Sequence, residues 1–117
     1  MKIKVGDKLE NIKLNSIDDK SFELNKALGK KILLTFYRFA ACPMCNLRIN
    51  EINKTYSSFG ENFIHVAIFD SKLENLKRFT KKHNAKFPIL ADESYQYFEK
   101  YEVERSFVKF IWSQIIR

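Results

Sequence analysis

Cysteine, proline and glycine are scarce in this chain, with two, two and three residues among 117. So little Gly and Pro leaves no long linker, and the length suits one hydrophobic core and is too small for two. Two cysteines cannot build the dispersed framework that staples a small secreted protein. Both lie in a single C-x-x-C, as Cys42 and Cys45, and in an α/β pattern that points to redox or metal chemistry. The first ten residues lack the apolar stretch of a secretory signal. The longest near-continuous apolar run, residues 63–69, is far too short to span a bilayer. A soluble cytoplasmic protein with no membrane partner is expected. Gly6, Gly29 and Gly60 are isolated, so the sequence offers no phosphate loop, and it contains no serine nucleophile elbow, internal repeat or low-complexity segment.

What is present is globular in composition: 45% apolar, 15% aromatic and 30% charged residues, the charges interspersed. The net charge of +7 raises nucleic acid as a partner. The lysines and arginines, however, are spread along the chain among 14 acids. Their cluster at Lys77-Arg78 with Lys81-Lys82 fits the solvated face of a helix. No nucleic-acid partner is expected.

Residues 11–14 and 21–24 read as short strands around the turn formers Asp18 and Asp19, and Gly29 ends a short helical turn. Residues 31–39 read as a strand apolar on both faces, as a central strand between helical layers must be. Pro43 suits the first turn of a helix. Cys45, Ile49, Ile52, Tyr56 and Phe59 fall on one face of that helix, and Gly60 closes it. Residues 63–69 form a second buried strand. Ser71 and Glu74 have the spacing of a capping box, and Leu73, Leu76 and Phe79 line the helix it opens. Residues 87–90 read as a short strand, after which Asp92 caps a helix with Tyr95, Phe98 and Tyr101 inside. The order β-α-β-α-β-α predicts parallel strands with helices packed on the sheet. In residues 106–117, Phe107, Phe110, Ile111 and Ile115 mark one side of an amphipathic helix, with Val108, Trp112 and Ile116 adjacent.

The chemistry is expected at the corner between strand 31–39 and the helix opened by Pro43. A sulfur at Cys42 lies near the free N–H groups and the positive end of the helix dipole, which favours thiolate over thiol. A free cysteine, with pKa ~8.5, is only a few per cent ionised at pH 7, and helix N-termini and nearby cations lower such values to ~3.5–7.5. Arg38 and Arg48 are candidate cations. Cys45 is one helical turn on, close enough to attack an oxidised or mixed-disulfide Cys42 and close a short disulfide. Pro43 removes one backbone donor and stiffens the turn. Zinc is the rival reading, but one C-x-x-C supplies two ligands where a structural site wants four. The only histidines, His65 in an apolar strand and His83 at a charged helix end, read as structural or solvated rather than catalytic. No metal or other cofactor is expected.

Four stretches together resemble the peroxiredoxin-like (AhpC/TSA, thioredoxin-fold) family: the opening Val5-Gly6-Asp7-Lys8-Leu9, LLTFYRFAACPMCNL at 33–47, Phe87-Pro88-Ile89-Leu90-Ala91-Asp92, and the helix over 95–103. The resemblance covers about residues 3–105. It implies an α/β, thioredoxin-like fold of peroxiredoxin type, with a central, mostly parallel sheet flanked by helices. The organisation expected is one such domain at 1–105 and the amphipathic helix at 106–117. By resemblance Cys42 is the attacking cysteine and Cys45 its resolving partner; Pro43 and Arg38, taken from the residues themselves, complete the expected site. The implied activity is thiol-dependent reduction of peroxides or of protein disulfides. Electrons would return from a thioredoxin-like protein or a low-molecular-weight thiol, with no bound cofactor.

Two departures set the expectation for peroxide low. Typical members carry Thr or Ser three residues before the attacking cysteine, where this chain has Phe39. Their downstream thiolate-stabilising Arg would fall at or beyond residue 117. The last strands, the last helix and the cis-proline that faces the cysteine pair are also unmatched, so the chain resembles the N-terminal two-thirds of the domain and its sheet is expected to be incomplete at the C-terminus. An incomplete sheet and an apolar terminal helix lead to an expected homodimer or larger assembly. The alternative is a non-catalytic module acting through self-association or partner binding.

Overall fold

The computed structural model describes residues 4, 6, 7, 10–27 and 29–102. The whole of the expected amphipathic helix at 106–117, and parts of the opening motif, lie outside the described residues. The elements run β1 (Lys13–Ser16), β2 (Ser21–Glu23), a 3-10 turn (Leu24–Ala27), β3 (Lys31–Tyr37), α1 (Pro43–Thr55), a 3-10 turn (Tyr56–Phe59), β4 (Phe63–Phe69), α2 (Leu73–Thr80), a 3-10 turn (Lys81–His83), β5 (Ile89–Ala91) and α3 (Gln96–Lys100).

The strands form one sheet in the order β2-β1-β5-β4-β3. β1 is antiparallel to β2 and to β5, while β4 is parallel to both β5 and β3. The β3–β4 register places Lys31 opposite Phe63 and Tyr37 opposite Phe69. Asp18 and Asp19 form the turn of the β1–β2 hairpin, with Asp19 at φ 61° and its N–H donating to Ser16 O at 3.0 Å. Lys77 of α2 pairs with the Asp19 carboxylate.

Alternation along the strands divides the core in two. On one face Tyr37, Ala67, Phe69, Ile89 and Ala91 meet Cys45 and Ile49 of α1 and Leu76 of α2. On the other, Leu34, Phe36, Val66, Ile68 and Leu90 meet Phe98 and Tyr101 at α3, with Ile12, Leu14 and Leu24. This is a sheet between two helical layers, which is why β3, β4 and β5 are apolar on both faces. Although apolar on both faces, β3 ends the strand order, and among the described residues β4 is its one sheet neighbour. The expectation of a central position came from its burial, which here is supplied by helices above and below the strand and not by strands on both sides.

Two helix starts compare differently with the sequence reading. The Asp92 carboxylate serves the start of α3 as expected, from three residues before the cap residue Tyr95: it accepts the N–H groups of Gln96, Tyr97 and Phe98 at 3.1, 2.8 and 3.1 Å. Burial pushes that carboxyl above its usual range, and the three N–H bonds oppose the shift. The capping box at Ser71 does not form. The cap residue of α2 is Lys72, one position out of register, and the Ser71 hydroxyl donates to Lys72 O. The Leu73 N–H is taken instead by Glu93 Oε2 at 2.7 Å, from the loop after β5.

Candidate active site

After β3 the chain turns through residues 38–41, closed by the Cys42 N–H donating to Phe39 O at 3.1 Å. Cys42 is the cap residue of α1 (φ −60°, ψ 116°), and Pro43 is the first helical residue, where its missing N–H costs nothing. Ser, Thr, Asp or Asn commonly cap a helix through a side-chain oxygen. Here the Cys42 sulfur takes that role and accepts the Cys45 N–H at 3.3 Å. Cys45 Sγ accepts in turn the backbone N–H of Arg38 at 3.4 Å. Both cysteines are free. The corner thus brings together Cys42, Cys45, Pro43 and Arg38, the four residues picked out in the sequence.

The two sulfurs differ in setting. Cys45 is fully buried, and its thiol is pushed up to about 12, first by burial and then by its hydrogen bond to Cys42, with the Arg38 N–H opposing. Cys42, although it stands at the start of the helix, is only 3% exposed. The reason is its capping role, which turns the sulfur inward onto the helix N-terminus while Ala41, Pro43 and Met44 around it face solvent. Three apolar side chains stand exposed about the corner: Phe39, Met44 and Leu47. Phe39 occupies the position where the resemblance places a Thr or Ser hydroxyl.

Arg38 is half-buried, and its guanidinium lies 5.3 Å from the centre of the Phe39 ring. What it gives the cysteine pair directly is a backbone N–H, reinforced by a longer-range charge effect on Cys45. Arg48 is exposed on α1, and its charge acts on Tyr37.

His65 is fully buried, with Nδ1 3.0 Å from Leu33 O and Nε2 3.3 Å from the Tyr37 hydroxyl. Burial pushes its imidazole down to about 4. It is structural, as the apolar strand around it suggested. His83 is not simply solvated: its Nε2 meets Asn46 Oδ1 at 2.8 Å. Asn46 is the residue the sequence reading missed. Its Nδ2 donates to Ala40 O at 2.8 Å and to Cys42 O at 2.9 Å, so it braces the cysteine corner from inside α1. Among the described residues, no three His, Cys, Asp or Glu side chains converge as a metal site would need. No described helix is long and apolar enough to cross a membrane.

The architecture has relatives. The chain is 26% identical over 104 residues to peroxiredoxin Bcp of Bacillus subtilis, an alignment covering 88% of this chain and 66% of the relative. It is 24% identical over 104 residues to the thiol-disulfide oxidoreductase ResA of Bacillus thuringiensis, covering 87% and 60%. It therefore spans about 60–66% of the length of these curated relatives. The crystal structure of peroxidoxin BcpB from Mycobacterium tuberculosis superposes with a TM-score of 0.77 at 20% identity, covering 89% of this chain and 69% of that one. The fold is that of the thioredoxin-like proteins, as expected. The AhpC/TSA family profile matches residues 5–114 and so runs through the whole cysteine corner. A sulfur-capped helix start in this sheet order, inside a match of that length, makes the chain a member of the AhpC/TSA family.

Proposed function

We propose that this protein is a thiol-dependent oxidoreductase that cycles Cys42 and Cys45 between dithiol and disulfide, and that disulfides are its main substrates. The observation that carries the reading is the Cys42 sulfur on the α1 N-terminus, paired with the Cys45 N–H, with the Cys45 thiol buried one turn behind it. The Cys42 thiolate attacks one sulfur of a substrate disulfide, forms a mixed disulfide and expels a substrate thiolate. Cys45 then attacks Cys42 Sγ, closes the intramolecular disulfide and expels the second thiolate. The substrate gains two electrons, and the Cys45 proton leaves with the departing sulfur. The raised Cys45 thiol suits this order. Two of the effects that raise it, the hydrogen bond to Cys42 and the charge of Cys42, vanish once Cys42 is bonded to substrate. Resolution is thereby held back until the first step has occurred.

The exposed Phe39, Met44 and Leu47 offer an apolar rim that a peptide around a disulfide can cover. Peroxide is a slower substrate in this reading, because Phe39 has no hydroxyl to hydrogen-bond it. In that case Cys42 would displace water or an alcohol from the O–O bond and become a sulfenic acid, which Cys45 would resolve with loss of water. A thioredoxin-like protein or a small thiol returns two electrons. We place the protein in the cytoplasm, where thiol reductants keep such a pair in its dithiol form. We also propose self-association through the edge of β3 that no strand among the described residues pairs. Titration in glutathione buffers tests the main reading. One peptide should lose two protons on oxidation, and insulin disulfides should be reduced by wild type and not by Cys42→Ser. If both thiols still alkylate fully after mild oxidant, the dithiol cycle is rejected and the non-catalytic reading takes its place.

A further inference from the structure

Two asparagines of α1 tie the helix to the connection between α2 and β5. Asn46 and Asn53 are seven residues apart, so they share one face of the helix about two turns apart. Asn53 Nδ2 donates to His83 O at 2.9 Å and to Asn84 O at 3.3 Å, and its Oδ1 accepts the Lys86 N–H at 2.8 Å. Asn46 meets the same connection through the His83 ring, but its amide nitrogen faces the other way, to Ala40 O and Cys42 O. Asn53 therefore fastens a loop, whereas Asn46 joins that loop to the cysteine corner.

The geometry fixes the roles of the atoms. Both Nδ2 protons of Asn46 are spent on carbonyls, so its oxygen is the atom that faces His83. His83 Nε2 must then carry a proton and donate. Turning the amide over would set its oxygen against two carbonyl oxygens. The donor on His83 selects the orientation in which Asn46 can hold the corner.

We propose that Asn46 is a positioning residue for Cys42 and that His83 is the donor that orients it. The proposal rests on the reading of Cys42 as the attacking sulfur. Its physical content is a chain of constraints. The Cys42 carbonyl accepts both the Asn46 N–H at 3.0 Å and Asn46 Nδ2 at 2.9 Å. A carbonyl so held fixes the cap residue's ψ and with it the direction of the Cys42 side chain, which lies within reach of the Cys45 N–H. The Ala40 carbonyl held on the same amide fixes the approach of the chain to that cap. Releasing the amide frees the Ala40 carbonyl and leaves the Cys42 carbonyl on the Asn46 backbone N–H alone, so the sulfur leaves its seat for part of the time. The reduced state then loses stabilisation, and a pair with a less stabilised reduced state shifts toward disulfide.

The test compares Asn46→Ala, His83→Phe, His83→Gln and Asn53→Ala with wild type. Two quantities are read: the rate of iodoacetamide labelling at Cys42 at pH 7, mapped by mass, and the dithiol–disulfide equilibrium constant in glutathione buffers. Thermal unfolding checks that each variant is folded. In Asn46→Ala, labelling of Cys42 falls about five-fold and the equilibrium moves about five-fold toward disulfide, as expected for the loss of one hydrogen-bonded brace. His83→Phe moves both in the same direction by about two-fold. His83→Gln restores a donor and returns both toward wild type. Asn53→Ala lowers thermal stability and leaves both thiol readings unchanged. Asn46→Ala indistinguishable from wild type overturns the proposal, and so does an Asn53→Ala effect as large, because that would mean general loosening of the loop. Failure of the underlying reading looks different. In that case wild type itself forms no Cys42–Cys45 disulfide, while the labelling comparison still decides whether Asn46 seats the sulfur.

Discussion

Iodoacetamide added to the reduced protein at pH 8 should modify Cys42 long before Cys45. Cys45 is fully buried, and its thiol is pushed up to about 12 by burial first and by its hydrogen bond to Cys42 second. Only the thiolate is alkylated. At pH 8 a thiol titrating near 12 is ionised in roughly one molecule in 10⁴, against about one in four for a free cysteine with pKa ~8.5. Cys45 should therefore label ~10³-fold more slowly than free cysteine, before any steric shielding. Cys42→Ala separates the causes. It removes the charge and hydrogen bond of the Cys42 sulfur but leaves the burial, so Cys45 should label faster than in wild type. It should still lag free cysteine, because burial is the largest cause. Quenched time points analysed by peptide mass spectrometry give both rates. Cys45 labelling first, or within about three-fold of free cysteine, would refute the reasoning. The attacking and resolving roles would then be exchanged.

Three further outcomes are expected. His65 stays neutral in the fold down to about 4, whereas an unfolded histidine protonates near 6.5. The unfolded chain thus holds the extra proton between those values, so this contribution to stability is full above pH ~6.5 and is lost as pH falls through about 4, by up to about 3 kcal/mol. Urea unfolding at pH 7 and 4.5 should show this loss in wild type and not in His65→Asn, and equal pH dependence in the two would reject it. Asp92→Ala leaves the Gln96, Tyr97 and Phe98 N–H groups without their acceptor and should cost about 1–2 kcal/mol. Calorimetry should show a Tm lowered by several degrees, with Asp92→Asn intermediate, and an unchanged Tm would mean that α3 does not depend on this cap. Light scattering at micromolar concentration should find a homodimer or larger assembly with Trp112 shielded from quenchers. A monomer with shielded Trp112 would show that residues 106–117 cover the chain's own core, and would remove the self-association reading.

What the sequence made legible was local in origin. The C-P-x-C corner, the near-continuous apolar runs of β3 and β4, and the Asp92 cap depend on residues a few positions apart, where backbone geometry converts spacing directly into proximity. Where proximity came from afar, the reading slipped. Ser71 and Glu74 had the right spacing for a cap, but Glu93 reached Leu73 from the other side of β5. The burial of β3 looked like that of a central strand because helices cover both its faces, and periodicity cannot distinguish this from strands on both edges. The burial of Cys42 was not legible for a different reason: a cap residue aims its side chain back at the helix, and with sulfur in that role the reactive atom is drawn inward. The clamp at Asn46 spans 37 residues to His83, beyond any motif. One signal did exist. α1 carries Asn46, Asn50 and Asn53 in its interior, and asparagine is a poor residue there because its side chain competes for backbone groups. Asn46 and Asn53 instead spend their carboxamides on groups outside the helix interior: the cysteine corner and the α2–β5 connection. A residue that opposes the helix it belongs to, placed one position after a redox cysteine, marks a site where tertiary contacts outweigh local preference.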